Sequence, residues 1–385
     1  MDKQKATEIL LKKLVEWDSK PKNDGYEYEK SFVEVMQGLN EELLQLSVGD
    51  LSKDRNKKKR LQTQIGEILV PKEHILAGKS SFRQSPYLQE TAILLGQGHV
   101  FDESSKLLKR LCGVDLSAKQ TENLCHYYGE EIENISTGNE SIIYEKRGDL
   151  HYAMVDGSYI LSRENGWTET KVGRIFKASD NFAVSDKRTV IEKSEYVAHI
   201  GTHTDFIDKF SPLLNRLIYF VFIADGATWT WKWITDFYPN AIQILDFFHA
   251  FEKICQWAAI VFKDKQQLSD WCEQAKILLL NDEVNELIIQ IQEIDCQGDK
   301  LENRSKLLTY LGNNVHRMTY KTFLDKGYLI GSGAIESAQR TVVQHRLKRS
   351  GQRWTLKGGQ QVLNLRTKNL SNQWDDVTKL VRMAA

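Results

Sequence analysis

Through roughly the first 140 residues apolar side chains return every three or four positions, and beyond that point every second one. Ile9, Leu10, Leu14 and Trp17 carry the first spacing, as do Phe32, Val35, Leu39, Leu43 and Leu46. Both sets predict amphipathic helices. A short alternating stretch, LQTQIGEILVP, interrupts them and predicts a small hairpin with Gly66 at its turn. Residues 103–135 then read helix, turn, helix. ESSKLLKRL is followed by CGVDL, and Ser117 N-caps SAKQTENLCHYYGEEIE with Gln120 completing a capping box. Such a pair suits a helix-turn-helix DNA reader, although a plain structural helix pair is the commoner use of the pattern.

From about Asp149 the alternation predicts three successive strands, in DLHYAMVDGSYILSR, WTETKVGRIFKAS and EYVAHIGTH. A helix (TDFIDKFSPLLNRL), a buried strand (LIYFVFIADG), a helix ended by Pro239 (WKWITDFYP) and a further strand (AIQILDFF) follow. Strands followed by α/β alternation predict a mixed sheet flanked by helices. After His249 the chain turns helical and acidic to about Leu311, then returns at GYLIGSGAIES to a last, basic helix.

Composition narrows the class without fixing it. With 385 residues, 41% hydrophobic and 27% charged, the chain reads as a globular protein of two or three domains. Its longest apolar run, Leu217 to Ala224, is far short of the roughly 20 residues of a membrane helix. The N-terminal MDKQKATEILLKKLVEW carries acids and does not read as a targeting peptide. Five cysteines without a C-x-x-C pair argue against a disulfide scaffold or a cysteine zinc site, and fit a reducing cytoplasm. The net charge is zero, but its distribution is uneven. Between Ser337 and Trp374 eight Lys/Arg occur with no Asp or Glu, a second basic cluster runs from Lys53 to Arg60, and acids concentrate between Glu252 and Glu302. One polyanion-facing side would give that asymmetry, as would two solvated helix faces.

Three carboxylates fall at places that need a reason. Asp156 sits inside the strand YAMVDGSYI, where a charge is expensive. Asp225 ends the strand LIYFVFIA just before Gly226. Glu336 lies in the first turn of the late helix, on one face with Arg340, Val343 and Leu347, an apolar stripe that would press it against the sheet. Carboxylates gathered together repel, and divalent cations relieve that repulsion. Two ions held this way could activate an attacking oxygen and stabilise a leaving one in phosphoryl transfer. Each acid alone has an ordinary structural explanation, a turn residue for Asp225 and a dipole partner for Glu336. Asp246 and His249 form a D-x-x-H step that could assist proton transfer or position a phosphate, or could simply cap a helix.

The segments VDGSYI, ADGATW, FYPNAIQILDFFHAFEKI, GSGAIES and RLKRSGQRWTLKGGQQVLNLRTKNLSNQWDD resemble, in order, the DDE transposases of bacterial insertion sequences. The similarity is to the ISKra-type family, a Mutator-like relative, and spans about residues 60–380. Its most specific part is Gly331 to Glu336, Ser350 to Trp354, Gly358 to Arg366 and Trp374-Asp375. The resemblance implies an α/β, ribonuclease-H-like catalytic domain in residues 149–249 and 328–385, with an all-helical insertion at 250–327 and a mainly helical DNA-binding region at 1–148. It implies that Asp156, Asp225 and Glu336 hold two Mg²⁺ (or Mn²⁺) ions, with Asp246 and His249 assisting. DNA would be gripped by Arg340, Arg346, Lys348, Arg349 and Arg353, the phosphate contacts giving salt-sensitive affinity, with Trp354 either stacking on an unpaired base or simply closing the core. Its partners would be the element's terminal inverted repeats and target DNA, bound by a homo-oligomer in a bacterial cytoplasm. A stand-alone nuclease and a silent transposase-derived DNA-binding protein are the alternatives. Two departures stand out: HILAGKSSFRQ lacks the cysteines that many relatives carry before SPYLQE, and SAQ follows Glu336 where relatives often have GAC.

Overall fold

The computed structural model describes residues 2–49, 54–79, 81–136, 149–185 and 188–384. The chain divides into two compact units, Met1–Gly138 with Gln360–Ala385, and Asn139–Gly359. Helices α1 (Lys3–Asp18) and α2 (Gly25–Ser47) start at Asp2 and Asp24, whose carboxylates accept from first-turn amides. The predicted hairpin is present as β1 (Lys58–Thr63) and β2 (Gly66–Pro71), with Leu61, Ile68 and Val70 buried on one face. Helix α3 (Pro86–Gly98) is capped by Ser85 and carries Pro86 where a missing N–H costs nothing. Helices α4 (Phe101–Cys112) and α5 (Ala118–Ser136) form the expected pair. The capping box is as predicted: the Ser117 hydroxyl accepts from the Gln120 amide at 3.2 Å, and the Ser117 amide donates to Gln120 Oε1 at 2.9 Å.

The second unit is built on a five-stranded mixed sheet ordered β7-β4-β3-β8-β9. Long antiparallel strands β3 (His151–Ser162) and β4 (Gly166–Lys177) pair along their whole lengths. A small exposed hairpin, β5 (Asn181–Ser185) with β6 (Arg188–Ile191), follows; its side chains bury little, so no apolar alternation announces it. Then come β7 (Glu195–Ile200), antiparallel to β4, helix α6 (His203–Leu214), and β8 (Phe220–Ala224), parallel to β3. Helix α7 (Thr228–Phe237) leads to β9 (Ile242–Leu245), parallel to β8. All five residues of β8 are buried, as a central parallel strand covered on both faces requires.

Beyond β9 the described chain is helical: α8 (Phe247–Val261), α9 (Lys265–Leu280), α10 (Val284–Glu293), α11 (Asp299–Asn314) and α12 (Tyr320–Asp325). Arg317, after α11, ties them to the sheet side by donating to Gln243 Oε1 at 2.8 Å and lying 4.5 Å over the Trp231 ring. The late helix begins as α13 (Gly333–Ala338), widens to a π-helical stretch at Gln339–Gln344, and ends as α14 (His345–Leu347). That widening breaks the α-helical stripe expected through Glu336, Arg340, Val343 and Leu347. Val343 and Leu347 are buried whereas Glu336 and Arg340 are exposed.

Helices α15 (Leu356–Leu370) and α16 (Trp374–Met383) close the chain. The sequence places them with the catalytic domain, but from Gln360 onward they cluster with the N-terminal unit. The physical reason is a shared core: Leu365, Val377, Leu380 and Val381 pack among Leu88, Ile93, Leu108, Leu124 and Tyr128. Arg366, one of the eight basic residues of the late stretch, is buried there and donates to the Gln97 carbonyl at 2.7 Å.

Candidate active site

Val155 on β3, Ala224 on β8 and Leu245 on β9 are register partners across three adjacent parallel strands. Asp156, Asp225 and Asp246 each follow one residue later, so the sequence delivers a row of three aspartates to one level of the sheet. For β8 and β9 that level is the carboxyl end of the strand, where open α/β sheets place their ligands. Strand β3 runs on past it, Asp156 pairing with Val172 of β4.

The three aspartates are not equivalent. Asp246 is fully buried and its two oxygens are fully occupied. Oδ1 accepts from the amides of Phe248 at 3.2 Å and Ser332 at 3.1 Å. Oδ2 accepts from the His249 amide at 3.3 Å, from the Ser332 hydroxyl at 2.8 Å and from the His249 ring at Nδ1. Burial works against the charge on Asp246, but the hydrogen bonds from His249 and Ser332 outweigh it and hold its pKa below the ordinary value. Asp246 thus caps α8 and fastens the loop that precedes α13. The Asp246 hydrogen bond, against the opposing effect of burial and with help from the Asp225 and Asp156 charges, raises His249 to about 9, so its ring is a cation at neutral pH.

Asp156 and Asp225 are partly buried and much less satisfied. The Asp156 carboxylate accepts from the Gly157 amide at 2.7 Å, and that of Asp225 from the Ala227 amide at 3.1 Å. Burial pushes Asp156 up to about 6, opposed by the Gly157 amide and the His249 charge and reinforced by the charges of Asp225 and Glu336. Glu336 is exposed on α13, with the Ser332 hydroxyl 3.4 Å from its Oε1. Ligand atoms of Asp246, His249 and Glu336 all lie within 4.8 Å of one another. Both Asp246 oxygens are already engaged by hydrogen bonds, which leaves them few directions for an ion. Carboxylate oxygens also remain on Asp156, Asp225 and Glu336, and the rise at Asp156 comes first from burial, with the charges of Asp225 and Glu336 adding to it. That donor set fits a hard divalent ion.

Several supporting residues escape sequence reasoning. Gln339, 2% exposed, donates to the Asp156 carbonyl at 2.7 Å and accepts from the Ser158 hydroxyl at 2.9 Å. Arg174, buried on β4 between the Phe176 and Tyr196 rings, donates to the Ala334 carbonyl at 2.6 Å and so fixes the start of α13. Tyr310 of α11 lies against Gly226, where a Cβ would come within 2.0 Å of the ring. Only the glycine, sitting next to Asp225, hinted at such a neighbour.

The residues expected to grip DNA separate by exposure. Arg340, Lys348 and Arg353 are exposed and Arg349 is half-buried. Arg346 is fully buried with its guanidinium 4.8 Å from the Trp354 ring, and Trp354 is itself buried, its indole N–H donating to the Leu347 carbonyl at 3.1 Å. Arg346 is therefore a core residue that offers no surface to a phosphate, and Trp354 closes the core, one of the two readings its sequence position left open.

No family model matches the sequence. The chain is similar to a Streptococcus gallolyticus protein called UPF0236 protein in vanSb 3′ region, with 24% identity over 322 residues, 81% of this chain and 69% of that protein. Among solved structures it is similar to the Drosophila P element transposase strand transfer complex, with 10% identity, a TM-score of 0.29, and 79% of this chain and 84% of that one covered. Among the described residues no helix is long and apolar enough to cross a membrane.

Proposed function

We propose that this chain is a DDE-type transposase of the ISKra-like kind, with a ribonuclease-H-like catalytic unit. It would cut DNA at the ends of an insertion sequence and join the freed 3′-ends to a target. The observation that carries the reading is the adjacency of Asp156 and Asp225 at one level of a mixed sheet, with Glu336 on the late helix adding the least of several contributions to the rise at Asp156. The resemblance of five ordered sequence segments to such transposases supports it independently.

On this reading Asp156, Asp225 and Glu336 hold two divalent ions. When bound, those ions would activate the attacking oxygen and stabilise the leaving one. The protein's own groups do the rest. Asp246 fixes the His249 ring and the Ser332 loop, and so sets where Glu336 stands. The His249 imidazolium, directed at the acidic group by its Nδ1 bond to Asp246, is placed to meet a phosphate oxygen through Nε2. Gln339 holds the Asp156 backbone against the late helix. The exposed Arg340, Lys348 and Arg353 supply phosphate contacts that set register without reading sequence.

The test is direct. A labelled duplex carrying the DNA that flanks the gene is incubated with the full chain, Mn²⁺ and a target plasmid. Label joined to the plasmid is the expected product. Nicked duplex with no joined product would replace the transposase reading with a nuclease, and intact duplex bound without cleavage would replace it with a DNA-binding protein.

A further inference from the structure

Strands β3 and β4 run past the rest of the sheet as a two-stranded ribbon: β8 stops at Ala224, opposite Val155, and β7 stops at Ile200, opposite Thr170. In the ribbon Tyr159 pairs with Glu169 and Leu161 with Trp167, so these four side chains share one face. The other face is packed, with Ile160 fully buried and the Ser158 hydroxyl donating to Gln339. Nearer the sheet centre the aromatic face is covered by α6, whose Phe210 ring would stand 2.6 Å from a Cβ at Gly173. At the tip it is open, Tyr159 being 56% and Trp167 68% exposed. The two are diagonal neighbours, roughly 7–8 Å apart and within reach of one ligand. Single exposed aromatics are ordinary, but two on one short ribbon make a continuous ring surface. The charges at the tip are uneven as well. Its acids are engaged: both Glu164 oxygens accept from the Leu356 amide at 3.2 Å, and Glu169 pairs with the buried Lys171 at 2.6 Å. Its cations are not. The Trp354 backbone joins β3 here, its carbonyl accepting from the Arg163 amide at 2.8 Å, and the Arg163 Nε donates to the Arg353 carbonyl at 3.3 Å. Arg163 and Arg353 are both exposed, and among the described residues neither makes an ion pair.

We propose that the tip of the β3–β4 ribbon binds unpaired nucleotides of the DNA, with bases stacked on Tyr159 and Trp167 and phosphates met by Arg163 and Arg353. The choice of DNA rests on the function proposed above and adds to it which part of the substrate is held. Stacking needs a free ring face, which the bases of a single strand offer and those of a duplex, already stacked, do not. Aromatic rings interleaved with unpaired arginines are the composition that grips single strands with little regard to sequence. Tyr159 stands three residues beyond Asp156, about 10 Å along β3, so the bases held there would lie within a few nucleotides of a phosphate at the acids.

The experiment uses the full chain in EDTA, so that neither cleavage nor metal contributes. Anisotropy titrations compare a labelled 12-nucleotide single strand with the 12-base-pair duplex of the same sequence. Tyr159→Ala and Trp167→Ala should each weaken the single strand roughly tenfold and leave the duplex within about twofold, and Trp167→Phe should restore most of the affinity. Both side chains are exposed, so the variants should melt at the wild-type temperature. Irradiating the wild-type complex with a strand carrying 5-iodouracil should crosslink Trp167 or Tyr159, located by peptide mass spectrometry. Single-strand affinity unmoved in both alanine variants, or crosslinks confined to other residues, overturns the inference. So does a wild-type dimer that Trp167→Ala converts to a monomer with DNA affinity intact, which would give this surface to a second copy of the chain. None of these outcomes depends on joining. A chain that joins DNA ends but fails here loses only this site, and one that passes here without joining loses only the transposase reading.

Discussion

Asp156 and Asp225 are neighbours because Val155 and Ala224, the residues just before them, are register partners on adjacent parallel strands. A slip of one residue in either strand would turn one carboxylate to the other face of the sheet. The burial of Tyr152, Met154, Phe222 and Ile223 makes such a slip costly. The core thus sets the distance between the two acids, and the following consequences can be measured.

Asp156 destabilises the metal-free fold at neutral pH. Its folded pKa of about 6 lies above the ordinary 3.8, so protonation favours the folded state. The stabilising contribution is complete below about 3.8 and is lost as pH rises through 6. Above that the ionised group costs on the order of 2–3 kcal/mol. Asp156→Asn should therefore raise the urea midpoint in EDTA at pH 8 and change it little at pH 4. Millimolar Mn²⁺ should stabilise the wild type and leave the variant unmoved. A variant less stable than wild type in EDTA at pH 8 would contradict this.

Asp246 is a structural node, and its loss should be felt in folding before chemistry. Asp246→Ala strands the His249 ring, the Ser332 hydroxyl and three amides and should cost on the order of 3–5 kcal/mol. Ser332→Ala removes one hydroxyl bond and should cost about 1–3 kcal/mol. Equilibrium urea denaturation measures both. Wild-type stability together with abolished DNA joining in Asp246→Ala would make Asp246 a metal ligand instead.

Much of this was legible in sequence. The period change near Asp149, the alternating strands and the capping box at Ser117 are local signals, and each element appears where its pattern places it. The acids could be picked out because a charge inside YAMVDGSYI is costly wherever that strand goes. Tertiary partners are what the sequence does not print. Nothing local distinguishes the buried Arg346 from the exposed Lys348 two positions on, since the difference is the Trp354 ring folded over one of them. Asp246 read as capping residue or catalyst with equal ease, and its hydrogen bonds to Ser332 span 86 positions. The π-helical stretch after Ala338 likewise defeats a stripe drawn at 3.6 residues per turn.

In the first unit, Gly129 of α5 lies against backbone. A Cβ there would sit 2.2 Å from the Gln361 carbonyl oxygen, which cannot rotate away as a side chain could. Gly129→Ala should cost at least about 2 kcal/mol despite the better helix propensity of alanine. Thermal unfolding would show it, and a variant melting at the wild-type temperature would refute the close packing of α5 on α15.

The basic late segment should divide into two classes of variant. Lys348→Ala and Arg353→Ala should keep wild-type stability, weaken DNA binding severalfold and each reduce the salt slope by about one. Arg346→Ala should lower the melting temperature, because it empties a fully buried site beneath Trp354. Binding titrations from 50 to 200 mM salt, paired with melting curves, separate the two. A stable Arg346→Ala with a reduced salt slope would return that residue to the DNA-binding face.

The central claim, that Asp156, Asp225 and Glu336 form the metal-holding catalytic group, is tested most directly by DNA joining with the gene's own flanking ends. Wild type is compared with Asp156→Ala, Asp225→Ala and Glu336→Ala in Mg²⁺ and in Mn²⁺, after each variant is shown to be folded and to bind DNA. Joined product is expected from wild type, with a loss of at least about a thousandfold in every variant, the scale on which removing essential transition-state charge stabilisation is felt. Full joining by any one of the three folded variants would contradict it.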